Sequence, residues 1–249
     1  MSRRPGQPAD YLKQIYSNLL AEQSTSSTRG EKYPEICADR LWEAFIKKLM
    51  QKDYQFDAGY YGSLNEFSRK VAYFFHASLQ GTACYPGAAR ALGHVKEAGL
   101  AQGLIADAQC FTVVQLQRGL SREAPLTLPS PPGEGGEGRV RGATAKVDEW
   151  IDSDLRACSH ELRARKPSER LFRHLLPALA ERHIKPDQVL HIGSRAALDI
   201  APARRLGMRT GLFAGDKASL QATREQMKES ATRPDVLLTE LGQIADVVG

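Results

Sequence analysis

Along the N-terminal third of the chain, apolar residues recur at the spacing of a helix face. Leu12, Ile15, Tyr16, Leu19 and Leu20 make one stripe, and Leu41, Trp42, Phe45, Ile46 and Leu49 a second. Leu64, Phe67, Val71, Phe74, Phe75 and Leu79 make a third, opened by Ser63 and Glu66 at the spacing of a capping box. A period of three to four residues predicts three helices, each burying one face. The polar run from Ser24 to Gly30 predicts a loop between the first two. His76 lies near the third stripe and reads as a packed core histidine.

The pattern changes after Tyr85. Pro86 predicts the start of a helix through Ala91, Leu92 and Val95, and Gly99 its end. Leu104-Ile105 reads as a short strand, and Phe111-Thr112-Val113-Val114 as the next. Residues 121–144 have no hydrophobic period and are dense in proline and glycine, the composition of a disordered insert. They are not a phosphate-cradling loop, because prolines precede the glycines and no Gly-Lys-Ser/Thr follows. Helical patterning resumes at Val147, Trp150, Ile151 and Leu155. Pro167 then opens another helix, with Leu171, Phe172, Leu175, Leu176 and Leu179 facing inward.

The most informative stretch follows. Val189 to Ile192 is a strand, and Gly193 breaks it. Asp199 opens a segment with Ile200, Ala203 and Leu206 at helical spacing, stopped by Gly207. Thr210 to Phe213 begins another strand, and Val236 to Leu238 and Leu241 to Val248 supply a last strand and helix. Asp216, after Phe213, reads as a loop or helix-cap residue. Alternation of strands and helices predicts an α/β fold with a parallel sheet. In such sheets the loops at the carboxyl ends of the strands carry the chemistry. Here those loops hold Gly193, Ser194 and Asp199, and Asp107 after the first strand, at the edge of the expected site, where it would hold a substrate hydroxyl or cap a turn, the turn being the favoured role. His191, inside its strand, reads as structural.

Composition narrows the partners. Lys and Arg number 34 against 29 Asp and Glu, a net charge of +5. The basic residues are interleaved with acidic ones, so the surface reads as mixed and solvated, and no nucleic-acid partner is expected. No run approaches the roughly 18 apolar residues of a membrane span, and no secretory core follows Met1. Cys37, Cys84, Cys110 and Cys158 are widely spaced without a Cys-x-x-Cys pair, which predicts reduced buried thiols and a cytoplasmic protein.

The stretch from Leu190 to Met208 resembles the fourth motif of the haloacid dehalogenase (HAD) superfamily: strand, Gly-Asp, four residues, Asp, and a helix ending in Gly-Met. Arg165-Lys166-Pro167 resembles its third motif, a lysine before a proline-started helix. Tyr85 to Asp107 is similar to the return from a cap into the second strand. The resemblance spans roughly residues 85–249. It implies a Rossmann-like HAD core over 85–249, with helices on both faces and the insert at 121–144, and a helical cap domain over 1–84. It also implies hydrolysis of a small phosphorylated substrate through an aspartyl-phosphate, with magnesium. Lys166 would stabilise phosphoryl charge, Asp199 would hold the metal, and Asp107 and Ser194 would meet the substrate.

Several family groups are missing from this sequence. Ser194 stands where the first acid of the fourth motif belongs, and Ala106 where the second motif has a hydroxyl. The nucleophilic Asp-x-Asp motif has no counterpart: Asp10, Asp39, Asp53 and Asp57 do not follow an apolar strand. The sequence reads as one that begins inside the cap. This implies little or no turnover by the chain as written, and a gap in the sheet between the strands at Leu104 and Val189. The alternative is a non-catalytic HAD-fold binding or interaction protein.

Overall fold

The computed structural model describes residues 8–26, 31–52, 54–79, 82–123 and 147–248. Residues 124–144 of the expected insert lie outside the described residues. Residues 121–123 belong to a helix.

The three N-terminal stripes become α1 (Pro8–Ser26), α2 (Ala38–Met50) and, after the single turn α3 (Ala58–Tyr61), α4 (Leu64–Leu79). Ser24 to Ser26 therefore close α1 rather than begin a loop. Ser63 N–H donates to Glu66 Oε2 at 3.0 Å and Glu66 N–H donates to Ser63 Oγ at 3.2 Å, so the capping box forms. Ile15, Trp42, Phe45 and Ala72 build a core joined by Phe111 from outside these helices. The buried line of α4 runs through Ser68 and Ala72. Small residues let α2 approach closely, and the large residues flank the contact. Phe74 and Leu79, expected inside, are 76% and 68% exposed. His76 is also exposed, with its ring 5.2 Å from that of Phe111, and is not a core histidine.

Next come α5 (Ala88–Glu97), β1 (Leu104–Ala106) and α6 (Thr112–Glu123). Gly99, at φ 73°, ends α5 in the left-handed region that glycine adopts without strain. The strand expected at Phe111 to Val114 is the start of α6. Its β-branched residues yield to a turn closed by Gln115 N–H on Phe111 O, with Leu120 fully buried further along. A strand the sequence reading lacks, β2 (Arg156–Cys158), pairs with β1 in parallel. It follows two short 3-10 turns at Val147–Glu149 and Ser153–Leu155, where a helix was expected.

The remainder is α7 (Ser159–Leu162), α8 (Glu169–Arg173), α9 (Leu176–Glu181), β3 (Leu190–Gly193), α10 (Ala201–Arg205), β4 (Arg209–Phe213), β5 (Val236–Leu238) and α11 (Ile244–Val248). A wide π turn, Ala196–Ile200, leads into α10, so the helical segment begins before Asp199. Pro167 does not open α8. Ser168 caps it, accepting from Arg170 N–H at 3.3 Å, and the Lys166–Pro167 bond is cis.

Strands β3, β4 and β5 form a second parallel sheet in that order. Leu171, Phe172, Leu175 and Leu179 pack with Ala157 of β2 and Ala203 of α10 on one side. Ala91 of α5 and Ile244 of α11 pack with Phe213 and Leu238, beside Leu190 and Ile192, on the other. Helices thus cover both faces, as expected of an α/β fold. Among the described residues no ladder joins β1 to β3. The break falls where the resemblance puts the nucleophile strand.

Candidate functional site

The carboxyl ends of β1 and β3 meet across this break, and what joins them is charge. Asp107 follows β1 directly, Arg195 lies two residues past β3, and Asp199 sits in the π turn. Lys166 reaches in from the loop before α8. Lys166 Nζ donates to Asp199 Oδ1 at 2.7 Å. Arg195 donates to Asp199 Oδ2 twice, from its backbone N–H at 3.0 Å and from Nε at 3.3 Å. Its Nη2 reaches Asp107 Oδ2 at 3.1 Å, while Asp107 Oδ1 accepts from Lys166 N–H at 2.8 Å.

Backbone geometry fixes this arrangement. A Cβ on Gly193 would lie 2.3 Å from Asp199 Cβ, so only glycine lets the π turn fold back against the strand end. Gln221 pins the loop from the other side: its N–H donates to Ser194 O and its carbonyl accepts from Ala196 N–H, both at 2.9 Å. The segment before α2 braces β1. Ser159 Oγ donates to Glu35 Oε2 at 2.7 Å and accepts from Ala108 N–H at 2.8 Å. Arg165 N–H donates to Tyr33 O at 2.8 Å, next to Lys166.

Electrostatics follow from burial and pairing. Asp199 is 2% exposed. Burial alone would raise its carboxyl, but the Lys166 ammonium and the Arg195 guanidinium outweigh it and hold it below the ordinary carboxylate range. Glu35 goes the other way: burial raises it, and the nearby Asp107 charge adds to the effect, against a lowering by Ser159. On β3, His191 packs its ring edge-on against Phe172 at 5.1 Å, and its buried Nε2 has no partner among the described residues. Burial, with help from Lys166, pushes its pKa down to about 4 against a weaker pull from Asp199, so it is neutral at pH 7.

The structure therefore gathers Lys166, Asp107 and Asp199 in one cluster. Asp107 is an ion-pair partner there rather than a turn cap. Ser194 is adjacent along the chain, and its carbonyl anchors the loop. Asp216 lies elsewhere, accepting from Ala218 and Ser219 N–H in a tight turn, the loop role of the two expected for it. Arg195 and Glu35 were missed by sequence reasoning. Arg195 carried a signal, a basic residue four positions before Asp199; Glu35 carried none. A cleft of about 690 Å³ beside Pro167 is lined by Arg170, His174 and Arg205, but not by Lys166, Arg195 or Asp199.

The donor set fits a divalent metal poorly. Magnesium demands free hard oxygens in octahedral array. Both Asp199 oxygens and both Asp107 oxygens already accept from cations or N–H groups. Among the described residues, no group of three or more His, Cys, Asp or Glu side chains is placed to hold a metal ion.

Residues 163–244, which include Lys166, Arg195 and Asp199, match the family model described as HAD-hydrolase-like. No curated protein matches the sequence. Among solved structures, the chain is similar to a 2-haloacid dehalogenase from Pseudomonas syringae pv. Tomato DC3000, at 18% identity over 98% of this chain and 81% of that one, with a TM-score of 0.57. It is also similar to a HAD phosphatase from Thermococcus onnurineus, at 14% identity over 96% and 88% of the two chains, with a TM-score of 0.46. The molecule shares the fold of that dehalogenase, and its residues 163–244 are similar to a HAD-hydrolase-like domain. None of its described helices is long and apolar enough to cross a membrane.

Proposed function

We propose that the cluster at the ends of β1 and β3 is the charge-balancing half of a HAD-type hydrolase site for small phosphate monoesters. The observation that carries this reading is the 2.7 Å contact between Lys166 Nζ and the buried Asp199, at the carboxyl end of a parallel strand. Asp199 fixes the ammonium, whose remaining two N–H groups are available to phosphoryl oxygens. A cation held in place before reaction stabilises developing charge without reorganisation. The helices before residue 84 would serve as the cap that excludes water and selects the substrate.

Members of the superfamily generally use magnesium, which would supply electrophilic charge at a phosphoryl group. Among the described residues the Asp107 and Asp199 oxygens that could take it are already paired with Lys166 and Arg195. Neither Asp107 nor Asp199 is free to attack phosphorus, since each is held by cations. That specific observation favours a second reading, in which this chain binds a phosphorylated ligand without turning it over.

Hydrolysis of p-nitrophenyl phosphate, with and without magnesium chloride, alongside calorimetric titration with inorganic phosphate, separates the two. Turnover that is lost in Lys166→Ala and Asp199→Asn supports the hydrolase. Phosphate binding without turnover supports the binding protein. Absence of both activities would remove the site assignment.

A further inference from the structure

The guanidinium of Arg195 lies between two carboxylates on different elements. Nη2 is 3.1 Å from Asp107 Oδ2 and 3.5 Å from Asp199 Oδ1, and Nε is 3.3 Å from Asp199 Oδ2. The two acids and the two bases, Lys166 and Arg195, cancel in charge. Bridging carboxylates from separate strand ends is the geometry in which a divalent ion would be expected to sit, and here a side chain occupies it. The side chain is braced: the Arg195 backbone N–H also holds Asp199, and the neighbouring residues are tied to Gln221.

We propose that Arg195 is the resident cation of this site, taking the place of a divalent metal and leaving the site to receive an oxyanion directly. A guanidinium is permanently charged and presents five N–H donors in a planar fork. Nε and Nη2 are spent on the carboxylates. Nη1 makes no hydrogen bond among the described residues, so its two N–H groups are available to a phosphate or carboxylate oxygen, next to the Lys166 ammonium. Magnesium or manganese would have to displace an arginine already paired to both acids, and would then leave that guanidinium uncompensated beside the metal. The choice of oxyanion rests on the phosphate-site reading above; the exclusion of metal does not.

The test is manganese binding, followed by electron paramagnetic resonance of the free ion, for the full chain and for Arg195→Met, which keeps the length of the side chain without its charge. Circular dichroism melts establish that the variant is folded, and Arg195→Gln is a second variant should methionine fail to fold. The wild-type chain is expected to bind no manganese at millimolar concentration. A folded variant at position 195 is expected to bind at least tenfold more tightly, and Asp199→Asn in the same background to abolish the gain. Manganese binding by the wild-type chain that disappears in Asp199→Asn would overturn the proposal, as would variants no better than wild type. Phosphate titration of the same samples without metal reads the other half: wild-type binding lost in the variants supports Nη1 as its contact. Failure of wild type to bind phosphate while manganese is still excluded would sink the phosphate reading and leave the resident cation standing.

Discussion

Asp199 is a charge kept where water does not reach it, and its neighbours decide what that costs. Removing one partner of a buried ion pair leaves the other uncompensated, which typically costs about 3–5 kcal/mol. Lys166→Ala is therefore expected to lower stability by about 3 kcal/mol, at the low end because Arg195 still pairs with Asp199; urea denaturation measures it. Gly193→Ala drives a methyl group into Asp199 Cβ at 2.3 Å. Overpacking of this kind costs roughly 1–3 kcal/mol, and the same variant is expected to lose phosphate binding because the π turn must shift. His191 gives a pH dependence with a definite sign. Its pKa is about 4 in the folded chain against 6.5 ordinarily. The unfolded chain therefore binds the extra proton between these values, and stability rises with pH through that window. Urea denaturation at pH 4.5 and pH 7 should differ by roughly 2 kcal/mol on this account, and His191→Leu should shrink the difference. The depressed Asp199 carboxyl acts lower down: its contribution is present above the ordinary carboxylate pKa and is lost as pH falls through the folded value.

At the scale of elements, periodicity located α1, α2, α4, α5, β1, β3, β4 and β5, because each has an apolar pattern bounded by a cap, a glycine or a proline. It failed where tertiary packing overrode local preference. Phe111 to Val114 have strand-forming residues yet begin α6. β2 has only Arg156, Ala157 and Cys158, and becomes a strand through pairing with β1 rather than through its own pattern. In α4 the eye follows large residues, while the close contact uses Ser68 and Ala72. This yields a contrast in stability. Trp42→Ala, in the core of α2, is expected to cost about 3–5 kcal/mol, while Phe74→Ser on the exposed side of α4 should stay within about 0.5 kcal/mol. Thermal or urea unfolding distinguishes them, and equal losses would contradict the placement of α4.

For the whole molecule, the defining feature is two parallel sheets whose strand ends are joined by side-chain charges. The order of motifs made the α/β fold legible, since Lys166, Gly193, Asp199 and Gly207 fall at spacings that suit one another. The site was half legible. Lys166 and Asp199 stood out by position, whereas the bridging role of Arg195 depends on Asp107, 88 residues away, and no local pattern encodes that distance. The most direct measurement is a crystal structure of the chain grown with phosphate. The expected result is a phosphate within hydrogen-bond distance of Lys166 Nζ and Arg195 Nη1, with no metal between the carboxylates. A phosphate bound instead in the cleft of Arg170 and His174, with Lys166 and Arg195 empty-handed, would contradict the assignment of the site.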